Sequence, residues 1–129
     1  MTIKALFLNC TLKKSPQVSN TEALIRKVIA IMEPLGVEAE IVRVVDHNVA
    51  FGVSADEGAG DGWPAILQKI RETDILVFGT PIWFGVRSSV AQQVIERLDA
   101  TYEEADERTG QFLLYNKVAG CIVTGNEDG

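Results

Sequence analysis

Asp74-Ile75-Leu76-Val77-Phe78-Gly79-Thr80-Pro81-Ile82-Trp83-Phe84-Gly85 decides how this chain is organised. The apolar run from Ile75 is too short for a helix and ends in Gly79-Thr80-Pro81, so it reads as a buried strand. Two large aromatics and a glycine then stand where polar turn formers are expected. Trp83 and Phe84 thus lie at the C-terminal mouth of a strand. Open α/β sheets bind ligands at such mouths, and a flat ligand against the two rings is the reading that follows.

Working outward, Ile3–Asn9 is a second apolar run of strand length, followed by a polar loop from Cys10 to Asn20. Ser19 or Asn20 caps a helix with Leu24, Val28, Ile31 and Leu35 as its apolar stripe, and Gly36 stops it. Glu38–Val45 alternates early and reads as a strand at a sheet edge. Asp46–Gly62 is loop, with glycines at 52, 58, 60 and 62. Trp63 anchors the start of a helix that Pro64 opens, with Ile66, Leu67 and Ile70 inward. Beyond Gly85, Ser88 or Ser89 caps a helix, Gln92 completes a capping box with Ser89, and Val90, Val94, Ile95 and Leu98 form its apolar face. Thr101–Gly110 is acidic and solvated, and Lys117–Thr124 is a fourth strand. Strand and helix in alternation predict right-handed crossovers and an α/β doubly wound parallel sheet, one domain over 1–129.

At 129 residues with 47% hydrophobic and 23% charged residues, the chain has the composition of one globular domain. A net charge of −6 argues against nucleic acid or an anionic membrane surface as partner. The first strand follows Met1 almost at once and no apolar run approaches the ~18 residues of a membrane span. A cytoplasmic protein without a leader is therefore expected. Cys10 and Cys121 fall on strands that are not neighbours in the expected order, so both are read as free thiols. Cys10 near a helix N-terminus invites a nucleophile reading, but a small strand-end residue explains it as well. His47 is placed on the surface, the Glu103, Glu104, Asp106, Glu107 cluster on a solvated face, and no Cys/His spacing suits a metal.

Three strand C-termini carry unusual loops, and a parallel sheet opens all three on one edge. The first offers hydroxyl and amide donors from Thr11, Ser19, Asn20 and Thr21, with Lys13 or Lys14 as charge. Its helix N-terminus suits a phosphate. The second, Pro81 to Val86, offers flat apolar surface and backbone amides. The third runs from Thr124 through Gly125-Asn126-Glu127-Asp128-Gly129, where glycine lets backbone approach a ligand closely.

Asn9-Cys10-Thr11 with Ser19-Asn20-Thr21, Gly79 to Gly85, and Thr124 to Gly129 together resemble the flavodoxin-like NAD(P)H-dependent FMN reductase family, which includes quinone and azo reductases. The resemblance covers nearly the whole chain. It implies a flavodoxin-like sheet, which in the family has order 2-1-3-4-5; this sequence departs from it in supplying strands 2-1-3-4 with the fifth strand and last helix missing. It implies FMN held at its phosphate by Thr11, Lys13, Ser19, Asn20 and Thr21. Pro81, Ile82, Trp83, Phe84, Gly85 and Val86 would line the ring, and Thr124, Gly125 and Asn126 would close its far side. NADPH or NADH would be co-substrate and a quinone, azo compound, flavin or similar small molecule the acceptor. No side chain is then required as acid or base, because the cofactor carries the chemistry. Backbone donors from Phe84 to Arg87 would stabilise the reduced ring. An FMN-binding electron carrier is the alternative. The family's phosphate loop often has an early arginine where this chain has Lys13 and Lys14. A fourth strand with an open edge predicts self-association or an exchanged segment. A tyrosine phosphatase of the low-molecular-weight type would need an arginine where Pro16 stands, and a receiver domain would need acidic residues where Asn9 and Cys10 stand.

Overall fold

The computed structural model of the chain describes residues 1–126. In chain order the elements are β1 (Ile3–Asn9), α1 (Asn20–Met32), β2 (Val37–Arg43), α2 (Trp63–Glu72), β3 (Ile75–Trp83), β4 (Val86–Arg87), α3 (Ser89–Leu98) and β5 (Val118–Thr124). The four long strands are parallel in the order β2-β1-β3-β5, the expected doubly wound order. β4 is an addition: two residues paired antiparallel with the end of β3. The expected fourth strand is therefore the fifth in sequence.

Side chains alternate across a strand, and β1 shows it. Ala5 and Phe7 pack with Val77, Ile122 and Ile25 of α1 on one face. Leu6 and Leu8 face Trp63, Ile66, Leu67 and Ile70 of α2 and Ala91 and Val94 of α3 on the other. Both faces of β1 are covered from Ala5 onward, which is why Ala5 to Leu8 are apolar without alternation.

α1 turns a different side inward from the one its leucines suggest. Ser19 is the cap, its Oγ accepting from the Glu22 amide at 3.1 Å. Thr21 and Ile25 are buried, with Val28, Ile29 and Met32 packed against the same core, whereas Leu24, Ile31 and Leu35 are exposed. The reason lies in β3. A Cβ on Gly79 would stand 2.8 Å from Ile25 Cδ1 and 3.1 Å from Thr21 Cγ2, so the helix rests directly on the bare backbone there. That contact sets the rotation of the helix; Leu35 lies past its end, in the short 3-10 turn that Gly36 closes at φ 87°.

Three further expectations change. β2 ends at Arg43, because Val44 turns into the core beneath α2 and α3. Thr101 is buried, so the acidic segment is anchored at its start. In α3 the cap is Ser88, which accepts from the Ala91 amide at 3.1 Å, and Gln92 pairs with Arg87 and Glu96 instead of completing a box with Ser89.

The 48–62 loop is drawn together by a buried ion pair. Arg97 of α3 and Asp61 have side chains 0% and 1% exposed and meet at 2.6 Å. Arg97 also donates to the carbonyls of Ala50 and Ser54, and Asp61 accepts from the amides of Ala50, Glu57 and Trp63. The Arg97 guanidinium lies 5.6 Å from the centroid of the Trp63 ring. Its hydrogen bonds hold the Asp61 carboxyl well below the usual carboxylate range. Gly62 completes the closure: a Cβ there would lie 1.5 Å from the His47 carbonyl oxygen.

Candidate functional site

The opening stretch runs as strand farther than expected. Thr80 and Pro81 still pair with Val123 and Thr124 of β5, and Ile82 and Trp83 pair with Arg87 and Val86. Phe84 and Gly85 form the two-residue tip, with φ of 50° and 78°. Positive φ at both positions is the type I′ arrangement that matches strand twist. Gly85 takes it without strain; Phe84 is a bulky residue in a region that asparagine and glycine prefer. It is also 99% exposed, beside Trp83 at 52%.

Two hydroxyls lock this hairpin to the first loop. Thr80 Oγ1 accepts from the Ser88 amide at 3.0 Å, and Ser88 Oγ donates to the Cys10 carbonyl at 2.7 Å. The Cys10 amide in turn donates to the Gly79 carbonyl at 2.7 Å. Cys10 is sealed in by this packing, and burial pushes its thiol up to about 12. At neutral pH it carries a proton, so the small strand-end role holds and the nucleophile reading does not. Both cysteines are free.

The first loop is braced from beneath. Asn9, fully buried, accepts from the Thr11 amide at 3.1 Å and donates to Ser19 Oγ at 3.3 Å. Arg43 Nη1, from the end of β2, donates to the carbonyls of Lys13 and Gln17 at 3.2 and 2.8 Å. Asp46 accepts from the Ser15 amide and hydroxyl, which lowers its pKa. At the start of α1 the amides of Asn20 and Thr21 have no partner among the described residues, as helix geometry dictates for a first turn. Thr21 Oγ1 meets Thr124 Oγ1 at 2.8 Å and joins that turn to the end of β5.

Between these parts lies a cleft of about 360 Å³, lined by Thr11, Leu12, Lys13, Asn20, Thr21, Pro81, Ile82, Trp83, Thr124, Gly125 and Asn126. Its size is in the range of small-molecule sites, about 300–1,000 Å³. Ten of the fourteen residues singled out from sequence line it. Ser19 sits behind it as the helix cap, and Phe84, Gly85 and Val86 stand away from it at the hairpin tip. Glu127, Asp128 and Gly129 lie outside the described residues. Lys14 and Arg87 are not on the wall; Arg87 Nε donates to Gln92 at 2.7 Å.

Chemically the cleft has two ends. Hydroxyls of Thr11 and Thr21, two free helix amides and Lys13, the one charged side chain among the described lining residues, make one end a seat for an anion. Pro81, Ile82 and Trp83 make the other a flat apolar wall. A wider depression of about 510 Å³ among residues 104–116 carries Glu104 and Asp106 and no helix N-terminus, so it lacks those donors. Among the described residues no group of His, Cys, Asp and Glu could hold a metal, and no helix is long and apolar enough to cross a membrane. Asn9, Arg43, Asp46, Thr80 and Ser88 escaped the sequence reading as parts of this site. Asn9 and Thr80 stood inside quoted motifs and Ser88 was read only as a cap, whereas Arg43 and Asp46 reach loop groups about 30 residues away and left no signal.

Residues 3–129 match the family described as NADPH-dependent FMN reductase. The 8-demethyl-8-aminoriboflavin-5'-phosphate synthase of Streptomyces davaonensis is 45% identical over 138 residues, covering 100% of this chain and 53% of that protein. A crystal structure of RosB with the bound intermediate 8-demethyl-8-formylriboflavin-5'-phosphate superposes with a TM-score of 0.88 at 44% identity, over 99% of this chain and 54% of that one. A stretch amounting to 19% of the divalent metal cation transporter MntH of Mycobacterium bovis is 44% identical to 98% of this chain. The chain thus spans about half the length of the synthase it matches.

Proposed function

The chain belongs to the NADPH-dependent FMN reductase family, and from that premise we propose that it is the flavin-holding part of an FMN-dependent oxidoreductase. The observation that carries the proposal is the two-ended cleft, with its anion seat at the start of α1 and its apolar wall at Trp83. The donor set fits FMN: hydroxyls, free amides and one lysine suit a phosphate, and a flat wall suits a tricyclic ring. Asn20 and Thr21 amides, the Thr11 hydroxyl and Lys13 would hold the phosphate. Pro81, Ile82 and Trp83 would lie along the ring, and Thr124, Gly125 and Asn126 would close the remaining side.

FMN held by these residues would supply hydride chemistry between NADPH or NADH and a small acceptor such as a quinone, azo compound or free flavin. The protein's share is to fix and shield it. Gly79 lets α1 approach the sheet, so the free amides stand over the end of β3. Thr80 and Ser88 hold the wall against the first loop. Of the site residues named from sequence, Ser19 acts as the cap that aims α1, and Phe84, Gly85 and Val86 serve at the rim. Titrating the purified protein with FMN and following flavin fluorescence tests the reading. Micromolar or tighter quenching is the expected result, and an unquenched titration would remove it.

A second reading has flavin phosphate as the substrate itself. It is favoured by the related RosB structure, whose bound intermediate is a modified riboflavin phosphate. Incubation with NADPH and a quinone separates the two: steady oxidation with FMN recovered intact supports the reductase, and chemical change of the flavin supports the second reading. An FMN-loaded protein that does neither is the electron carrier. The outer edge of β5 is unpaired among the described residues, and self-association is the expected cover. A sedimentation coefficient that stays monomeric at all concentrations would count against it.

A further inference from the structure

α1, β3 and β5 meet at one pair of hydroxyls. Thr21 stands in the first turn of α1, and Thr124 is the last residue of β5, opposite Pro81 of β3. Their Oγ1 atoms lie 2.8 Å apart, and both residues line the cleft. Side chains alternate along a strand, so Thr124 lies on the same face of β5 as Ile122, which packs with Ile25 of α1. It therefore stands where that core opens, between the end of the sheet and the start of the helix.

Thr21 has little freedom in this contact. A β-branched side chain holds few χ1 positions. Its Cγ2 lies 3.1 Å from the point a Cβ of Gly79 would occupy, and its Oγ1 is turned to Thr124. Either oxygen could supply the proton of the contact, and burial decides which. Thr21 is 2% exposed, and its hydroxyl has no other partner among the described residues. Its proton goes to Thr124 or stays unpaired, and an unpaired buried donor is costly. Thr124 is only half-buried, so accepting from Thr21 leaves its own proton for the open side, which is the cleft. A hydroxyl that accepts one hydrogen bond is polarised to donate the next more strongly. The free amides of Asn20 and Thr21 belong to the same helix turn, so this donor joins the anion end although β5 carries it.

We propose that Thr124 donates a hydrogen bond to the phosphate of FMN and that Thr21 is the positioning residue that directs it. The assignment rests on the flavin reading above, and it moves Thr124 from the far side of the ring to the phosphate. Gly125 and Asn126 keep their place beside the ring.

Fluorescence quenching by FMN and by riboflavin, on the wild type, T124V, T124S, T21V and the double variant, tests it. The wild type should bind FMN at least about tenfold more tightly than riboflavin, because bonds to a phosphate are charge-assisted. T124V keeps the shape of the side chain and should lose about tenfold in FMN affinity, ~1.4 kcal/mol, with riboflavin affinity unchanged. T124S keeps the hydroxyl and should stay close to the wild type. T21V should lose less than T124V, and the double variant should match T124V alone, because Thr21 acts through Thr124. Losses that add in the double variant overturn the pairing. Equal weakening of both flavins by T124V places Thr124 against the ring or in a merely structural role and overturns the proposal, as does unchanged FMN affinity. A wild type that binds neither flavin overturns the flavin reading with it. Should T124V not fold, the Thr124 hydroxyl proton of the wild type decides by nuclear magnetic resonance. Its exchange with water must slow in the FMN complex and not in the riboflavin complex, and equal exchange in both overturns the proposal.

Discussion

Two loops leave the same edge of the sheet, and each is gathered around a buried arginine. Arg97 holds the 48–62 loop, and Arg43 holds the 11–19 loop. Around Arg97 the bonding is closed: a bidentate carboxylate, two carbonyls and an indole face surround it, and Asp61 uses its remaining capacity on three amides of the same loop. Around Arg43 it is open, with a distant Glu22, an unpartnered Nε, and free amides on the loop above. A closed cluster consumes its donors in holding the chain, whereas an open one leaves donors for something else. Similar chemistry thus closes one loop on itself and leaves free donors in the other.

The comparison breaks most readily at Asp61. Asp61→Ala should cost about 3–5 kcal/mol, since it strands a buried guanidinium, and the urea midpoint should fall accordingly. A loss below 1 kcal/mol would show the Arg97 cluster to be less closed than it looks. R43M, by contrast, should leave most of the stability in place, and that inequality is the sharpest form of the contrast.

Trp83→Ala should weaken FMN binding by about 0.5–1.5 kcal/mol, the scale of a lost aromatic contact, with thermal stability nearly unchanged because the ring is half exposed. Unaltered FMN affinity would place the ring elsewhere. Ser88→Ala removes a helix cap and the bond to the Cys10 carbonyl and should cost about 1 kcal/mol. Its effect on FMN affinity reports whether the hairpin must stay locked to the first loop.

The acid limb of the stability curve distinguishes the two loops again. Asp61 and Asp46 both have lowered pKa values in the folded chain. Their contributions are therefore present above the ordinary carboxylate value of ~4 and are lost as pH falls below it toward the folded values. Asp61 is buried, so its loss should appear as unfolding below that pH. Asp46 is at the surface, and its loss should appear only as faster exchange of the Ser15 amide. The smallest effect concerns the thiols. At pH 8 Cys121, which is exposed, should react with an alkylating agent while Cys10, with its thiol at about 12, stays unmodified.

Much of this was legible in the chain, and unevenly so. The apolar runs at Ile3–Asn9 and Ile75–Phe78, the Ser19 cap and Gly36 stop, and the placing of three loops on one edge all follow from periodicity and parallel topology. The inward side of α1 did not follow. Leu24 and Ile31 sit at helical spacing with Val28 as plausibly as Ile25 and Ile29 do, and the close approach at Gly79, which has no Cβ, goes with the second choice. The hairpin at Trp83–Arg87 was hidden because Phe84 occupies a position where the sequence signal is normally Asn or Gly. The two arginines were hidden because their partners, loop carbonyls and a carboxylate 36 residues away in the case of Arg97, come from parts of the chain that no local pattern joins.

By itself, then, the sequence determined the class of fold, the alternation of strands and helices and most of the residues that meet in the cleft; the strand order came with the family resemblance. The first three depend on local period and on turn chemistry, both written in neighbouring residues. Only the tertiary structure decided which face of α1 is buried, how far β3 runs, and which arginine closes a loop and which leaves it open. Those outcomes depend on backbone groups brought together from distant parts of the chain, and a backbone group has no letter of its own in the sequence. Trp83 stands at the junction of the two. Its place beside the cleft could be read from its position after a buried strand, but the hairpin that holds it there could not.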